Sequence, residues 1–154
     1  MSTLGVNVFV CFQQDYTEYG CTDYRIVLRN WKEAPHEVRF LFCPIPDFGV
    51  IDDQHVMVLI DELRRLIDVE KATLYLHCYG GHGRTGTVAT HLLGAYTGTG
   101  DVAATLQRLK GLHAHRAECR QRHCGLNEAH LEDESQTAQV ANMHKLLTRG
   151  QKLH

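Results

Sequence analysis

No apolar run in the 154 residues approaches the roughly 18 that a bilayer-crossing helix needs, so no membrane span is expected. Nor does either charge predominate. Lys and Arg number 16 against 18 Asp and Glu, a formal net charge of −2, which gives a nucleic acid or an acidic membrane no bulk attraction. The opening "MSTLGVNVFV" lacks a basic n-region and a cleavage-site pattern, so no secretory leader is expected. No segment repeats and none is of low complexity, which argues for one domain over residues 1–154.

What the chain does have is a 44% apolar fraction, enough for a real core. Its 6 cysteines are an even number, but so long and apolar a chain does not need a disulfide scaffold. Cys11, Cys43 and Cys78 sit in apolar, strand-like runs, which suits free thiols in a reducing cytosol. A cytoplasmic protein is the expectation.

"VNVFVCF" (Val6 to Phe12) reads as a strand buried on both faces. A polar, tyrosine-rich connection and an ambiguous stretch around Trp31 follow. "VRFLFCPI" (Val38 to Ile45) reads as a second strand, stopped by Pro44 and Pro46. Asp52 or Asp53 can cap a helix whose face carries Val56, Leu59, Ile60, Leu63 and Ile67. "ATLYLHC" is a third strand. "RTGTVATHLLGAYTG" then reads as a helix with Val88, Leu92 and Ala95 inward. A helix from Asp101 would bury Val102, Leu106 and Leu109, and a final one Val140, Met143 and Leu147. Alternating strands and helices predict an α/β fold, a mostly parallel central sheet flanked by helices.

Between the third strand and its helix lies "HCYGGHGRTGT". Gly80, Gly81 and Gly83 let successive backbone N–H groups converge into an anion nest. The helix N-terminus and the Arg84 fork add positive charge, a combination suited to phosphate. A nucleotide P-loop is excluded because the turn has no lysine, and a cysteine stands where a Rossmann backbone would approach its ligand. The same field acts on Cys78. A thiol at a helix N-terminus beside a cation falls to a pKa of roughly 3.5–7.5, so a thiolate near neutral pH is expected. Such a thiolate facing a bound phosphate is set for in-line attack on phosphorus.

"HCYGGHGRTG" resembles the His-Cys-x5-Arg-Thr/Ser signature of the cysteine-dependent protein tyrosine phosphatase superfamily, and its "GRTG" tail resembles the compact, dual-specificity-like members. The order of elements resembles the family from near residue 6 to the end. The resemblance implies Cys78 as nucleophile, Arg84 as phosphate clamp, Thr85 as the hydroxyl that helps sulfur leave, and His77 as support for loop and thiolate. Tyr79, Gly80, Gly81, His82, Gly83 and Arg84 would wrap the phosphate. Many compact members carry an earlier strand and turn, so a domain lacking that short N-terminal element is expected.

Expelling an alkoxide or phenoxide requires an acid. In the family it is an aspartate after the preceding strand, and Asp47 of "CPIPDFG" stands 31 positions before Cys78. Pro44, Pro46 and Gly49 would shape that loop, and Ile45 replaces the family's frequent tryptophan. Asp52 and Asp53 are rivals, though they look like helix caps. Gln139 resembles the glutamine that orients the hydrolytic water in some members, with Gln136 as rival and a solvent-facing residue as the other reading. Tensin-like lipid phosphatases carry a cysteine, in a strand comparable to that of Cys11, that bridges to the nucleophile on oxidation. A buried core thiol is the other reading of Cys11, and Cys43 competes for the role.

His115, Cys119 and His123 would share a helix face, but no second paired half of a zinc site accompanies them. No metal and no organic cofactor is expected. The variable loop positions hold no lysine, which lowers a phosphoinositide substrate, and the balanced charge argues against RNA 5′-phosphates. By resemblance the pocket is shallow, with Tyr16, Tyr19, Phe48 and His82 as candidates for its rim. The expected activity is hydrolysis of phosphotyrosine in proteins, extending to phosphoserine and phosphothreonine. A non-catalytic phosphate-binding module is the alternative, but nucleophile, arginine and acid are all present. A sulfurtransferase or arsenate reductase would lack the Asp47 loop and the Thr85–Gly86 continuation. A phosphorylated protein is the expected partner, and the residues point to no particular oligomeric state.

Overall fold

Val8–Cys11 forms β1, and all four residues are buried, as a run without a polar alternate requires. Arg39–Phe42 (β2) and Leu74–His77 (β3) pair with it in parallel on either side, giving the order β2-β1-β3. Cys11 stands opposite Phe42 on one side and His77 on the other. The structure, a computed structural model, describes residues 5–31, 38–98, 101–114 and 134–150.

Strand alternation sorts the sheet into two faces. Val8, Val10, Leu41, Leu74 and Leu76 meet α2 (Asp53–Asp68) and α3 (Gly83–Thr97) through Val56, Ile60, Leu63, Leu66, Val88 and Leu92. Each fully buried aliphatic contributes roughly 1.5–3 kcal/mol, so this face is the core. The expected face of α2 is largely met, with Leu66 buried in addition and Leu59 and Ile67 at its margin. α3 packs against α2, α4 (Val102–Ala114), α5 (Glu134–Gly150) and β3, and Val88, Leu92 and Ala95 are buried as expected.

The opposite face is aromatic. Phe9 lies 5.9 Å from Phe40, 5.6 Å from Tyr75 and 5.9 Å from Tyr24 of α1 (Tyr24–Asn30), ring centre to ring centre. No apolar face marks α1 in the sequence: none of its residues is buried, and Ile26 and Val27 are exposed. Its start is fixed locally instead: the Asp23 carboxylate accepts the Arg25 N–H at 3.0 Å.

α4 begins where expected, the Asp101 carboxylate accepting the Ala104 N–H at 3.0 Å. Its buried face is corrected: Val102, Leu106 and Leu109 are only partly covered, while Thr105 is buried and donates to the Asp101 carbonyl at 3.0 Å. Val140 of α5 is buried as expected; the side chains of Met143 and Leu147 lie outside the described residues. Among the described residues no helix is long and apolar enough to cross a membrane.

Parallel pairing points all three carboxyl ends of the strands the same way. Contacts beyond the strands keep the exits in step: Phe12 N–H donates to His77 O at 2.9 Å and Ile45 N–H to Phe12 O at 3.1 Å. The loops after β1, β2 and β3 therefore converge at one edge, the place where open parallel sheets bind ligands.

Candidate active site

Cys78 follows the last residue of β3 and is 7% exposed. The chain then reverses through Gly81, whose φ of 73° lies in the left-handed region that a side chain disfavours. The reversal turns the Gly81 N–H back onto Cys78 Sγ at 3.2 Å. α3 begins two residues later, so its positive end faces the same space. Thr85, in the first turn, has a buried hydroxyl with no hydrogen-bond partner.

Arg84 is 2% exposed and held by two carboxylates. Nη1 lies 3.0 and 2.9 Å from the two oxygens of Glu18, and Nη2 lies 3.0 Å from Asp47 Oδ1. Burial alone would lower the guanidinium's pKa; the Glu18 hydrogen bond and the charges of Cys78, Glu18 and Asp47 override it and raise the value. Asp47 also accepts the Tyr19 hydroxyl. Asp52 and Asp53 do not reach the arginine. Asp52 caps α2 at the His55 N–H, 3.0 Å away, and Asp53 accepts from Gln139 at 3.1 Å.

Nothing in the sequence pattern singles out Glu18 as the partner of Arg84. It sits on a single 3-10 turn, Glu18–Gly20, whose Tyr19 is held at φ 57°. So short a turn has no periodicity to detect, and Glu18 is one of three acids in the tyrosine-rich connection, with Asp15 and Asp23.

His77 bridges strand and loop. Its Nδ1 is 3.2 Å from the Cys78 carbonyl and its Nε2 is 2.6 Å from the Tyr24 hydroxyl. Burial lowers the imidazole pKa and raises that of the Tyr24 phenol well above its ordinary value, so a neutral ring donates from Nδ1 and accepts at Nε2. His77 thus touches the cysteine's backbone, with α1 behind it.

Gln136 and Gln139 are both buried, against the solvent-facing alternative. The Gln136 amide donates to Gly49 O at 3.2 Å, and that of Gln139 donates to Ile51 O, so α5 is tied to the loop that carries Asp47. Cys11 is fully buried at the end of β1, and burial raises its thiol pKa, as it does that of Cys43. Of the rim candidates, Tyr19 and Phe48 are exposed. Tyr16 is corrected: it is buried, stacked on Phe42 at 4.9 Å with the Arg25 guanidinium 3.5 Å over its ring. His82 is likewise corrected, buried at the N-cap of α3. His115, Cys119 and His123 lie outside the described residues.

Three comparisons bear on this arrangement. A Methanocaldococcus jannaschii protein of uncharacterized function, MJ0215, is 29% identical over 126 residues, 80% of this chain and 68% of its own. Tk-PTP, solved in its active form, has the same fold, with a TM-score of 0.66 over 92% of this chain and 80% of its own at 20% identity. So does human DUSP28, with a TM-score of 0.64 over 97% of this chain and 84% of its own at 14% identity. The family model PTP-SAK, the DSP-PTPase phosphatase domain of the Swiss Army Knife proteins, matches residues 1–140, and the chain belongs to that family of phosphatases.

Proposed function

We propose that this phosphatase is a cysteine-dependent enzyme that hydrolyses phosphotyrosine in proteins, and phosphoserine and phosphothreonine as well, through a phosphocysteine intermediate. The observation that carries this reading is the meeting of Cys78, the Gly81 N–H and the Arg84–Asp47 pair at the carboxyl edge of the sheet.

Cys78 Sγ attacks phosphorus as a thiolate, and the bond from phosphorus to the ester oxygen breaks. That oxygen takes a proton from Asp47. The nest N–H groups and Arg84 follow the equatorial oxygens through the transition state. Water then attacks the phosphocysteine, giving its proton to the Asp47 carboxylate, and the S–P bond breaks to release phosphate. The Thr85 hydroxyl, buried without a partner, is available to the departing sulfur. His77 holds the Cys78 carbonyl, and Gln139, or Gln136 beside it, acts through the acid loop or on the attacking water. The free thiols of Cys11, Cys21, Cys43 and Cys78 support a cytoplasmic setting.

Turnover of para-nitrophenyl phosphate and a phosphotyrosine peptide by wild type, Cys78→Ser and Asp47→Asn tests this. Cys78→Ser is expected to be inactive on both. Asp47→Asn is expected to lose about 10²–10⁴-fold on the peptide, whose leaving group needs a proton, and less on the activated ester. Activity surviving Cys78→Ser would falsify the mechanism.

A further inference from the structure

On the sheet face that turns away from α2 and α3, Phe9, Tyr24, His77 and Tyr75 close a circuit of four rings. Their centres are 5.9 Å apart from Phe9 to Tyr24, 5.0 Å from Tyr24 to His77, 5.6 Å from His77 to Tyr75 and 5.6 Å from Tyr75 back to Phe9. With Val27 and Leu28 of α1 as a wall, the rings line a cavity of about 290 Å³. Val27 is 59% and Tyr75 41% exposed, so its mouth opens to solvent. No residue of the glycine-rich turn lines it, and it lies behind the phosphate cradle.

The lining fixes the kind of occupant. None of the six side chains carries a charge, since burial holds the His77 ring neutral. An ion would give up its hydration there without meeting a counter-charge, so the cavity suits a neutral molecule. Aromatic pairs gain most at ring separations of roughly 4.5–7 Å, tilted or offset, which is the spacing that these rings already keep among themselves. The volume is near the lower end of small-molecule sites, roughly 300–1,000 Å³, which admits one or two fused rings. One polar feature orients a guest. The Tyr24 hydroxyl donates to His77 Nε2 at 2.6 Å, so its oxygen keeps acceptor capacity and no proton to offer.

From this we infer that the cavity is an effector site, separate from the phosphate cradle, for a neutral aromatic molecule of one or two rings that carries an N–H or O–H donor. The guest packs on the rings and gives its proton to the Tyr24 oxygen. Tyr24 holds His77, and His77 Nδ1 is 3.2 Å from the Cys78 carbonyl, so the guest is joined to the nucleophile's turn through two hydrogen bonds. Hydrogen bonds in such a chain polarise one another, so a change at Tyr24 is felt at Cys78. Guest and phosphate then alter each other's affinity by the same factor. That link, though not the site, rests on the phosphatase reading above.

Indole is the probe, and 1-methylindole is the same ring system without the donor. Calorimetry is expected to give a dissociation constant for indole below about 1 mM, and one about 3–10-fold weaker for 1-methylindole. Saturating indole should change the dissociation constant of inorganic phosphate by about 3-fold or more. Val27→Trp, at an exposed position, fills the mouth and should weaken indole about tenfold or more. Ile26→Trp, equally exposed on the same helix but outside the lining, should leave indole binding as it is. No indole binding to wild type, or binding that Val27→Trp does not weaken, overturns the site. Equal affinity for the two indoles overturns the donor assignment, and an unmoved phosphate constant overturns the link to the cradle. Indole bound with no phosphate binding at all overturns the phosphatase reading instead.

Discussion

Arg84 Nη1 stands 2.9 Å from Glu18 Oε2 in a pair whose side chains are only 2% and 10% exposed. With Asp47 on Nη2, two carboxylates occupy the guanidinium edge that a phosphate dianion would use. The buried guanidinium charge is thereby met by carboxylates of the chain itself. Removing Glu18 leaves Asp47 as its one carboxylate partner among the described residues. Glu18→Gln is expected to lower unfolding free energy by about 2 kcal/mol in urea titration, and inorganic phosphate at saturating concentration should recover part of that loss. A variant as stable as wild type would show that the pair contributes nothing net.

How much of this could be read from residues alone follows the range of each signal. Cys78, Arg84 and the nest are local, set within one strand–turn–helix, and the pattern "HCYGGHGRTG" contains them. Helix α2 was legible because four buried residues recur at helical spacing. Glu18 was not legible, because its role depends on a residue 66 positions away and on a turn of three residues. Tyr16 misled for a related reason: its burial comes from Phe42 and Arg25, neither of which a local pattern connects to it. The same holds for α1, which a cap starts and no apolar face announces.

His77 makes stability depend on pH. Burial holds its folded pKa below the ordinary value near 6.5, so between the two values the unfolded chain binds more protons. Its contribution is therefore complete above about pH 6.5 and is lost as pH falls through that value toward the folded pKa. Urea midpoints measured from pH 7.5 to 5.5 should fall, and His77→Asn should flatten part of that slope. An unchanged slope in the variant would remove His77 from the account. Tyr24→Phe, which strips Nε2 of its donor, is expected to cost about 1 kcal/mol at neutral pH.

Oxidation offers a separate test of where Cys11 lies. It pairs in register with His77, the residue before Cys78, and a charge on Cys78 is close enough to raise its pKa further. Hydrogen peroxide oxidises the Cys78 thiolate to a sulfenic acid, releasing hydroxide. The Cys11 thiol then displaces the sulfenic oxygen, forming the disulfide and water. Peptide mapping after one equivalent of peroxide is expected to find Cys11 joined to Cys78, reversibly with dithiothreitol, and Cys43→Ser should not alter the result. Cys78 recovered free or overoxidised would count decisively against this pairing.

The acid loop depends on Gly49 for lack of a side chain. A Cβ there would stand 3.0 Å from Pro46 Cβ and 3.2 Å from the Pro46 carbonyl, and the Gly49 N–H donates to that carbonyl at 2.9 Å. Both neighbours belong to a turn fixed by proline, so neither can retreat cheaply. On the far side, Gly49 O accepts the Gln136 amide at 3.2 Å, so a displaced loop would also lose its tie to α5. Gly49→Ala is therefore expected to cost about 1–3 kcal/mol by overpacking, and to move Asp47 off Arg84. The kinetic consequence separates the two effects. At a temperature where the variant is fully folded, turnover of a phosphotyrosine peptide should drop at least tenfold more than turnover of para-nitrophenyl phosphate, because the peptide's leaving group alone needs the misplaced proton. Equal losses on both substrates would mean that the glycine shapes the cradle and not the acid.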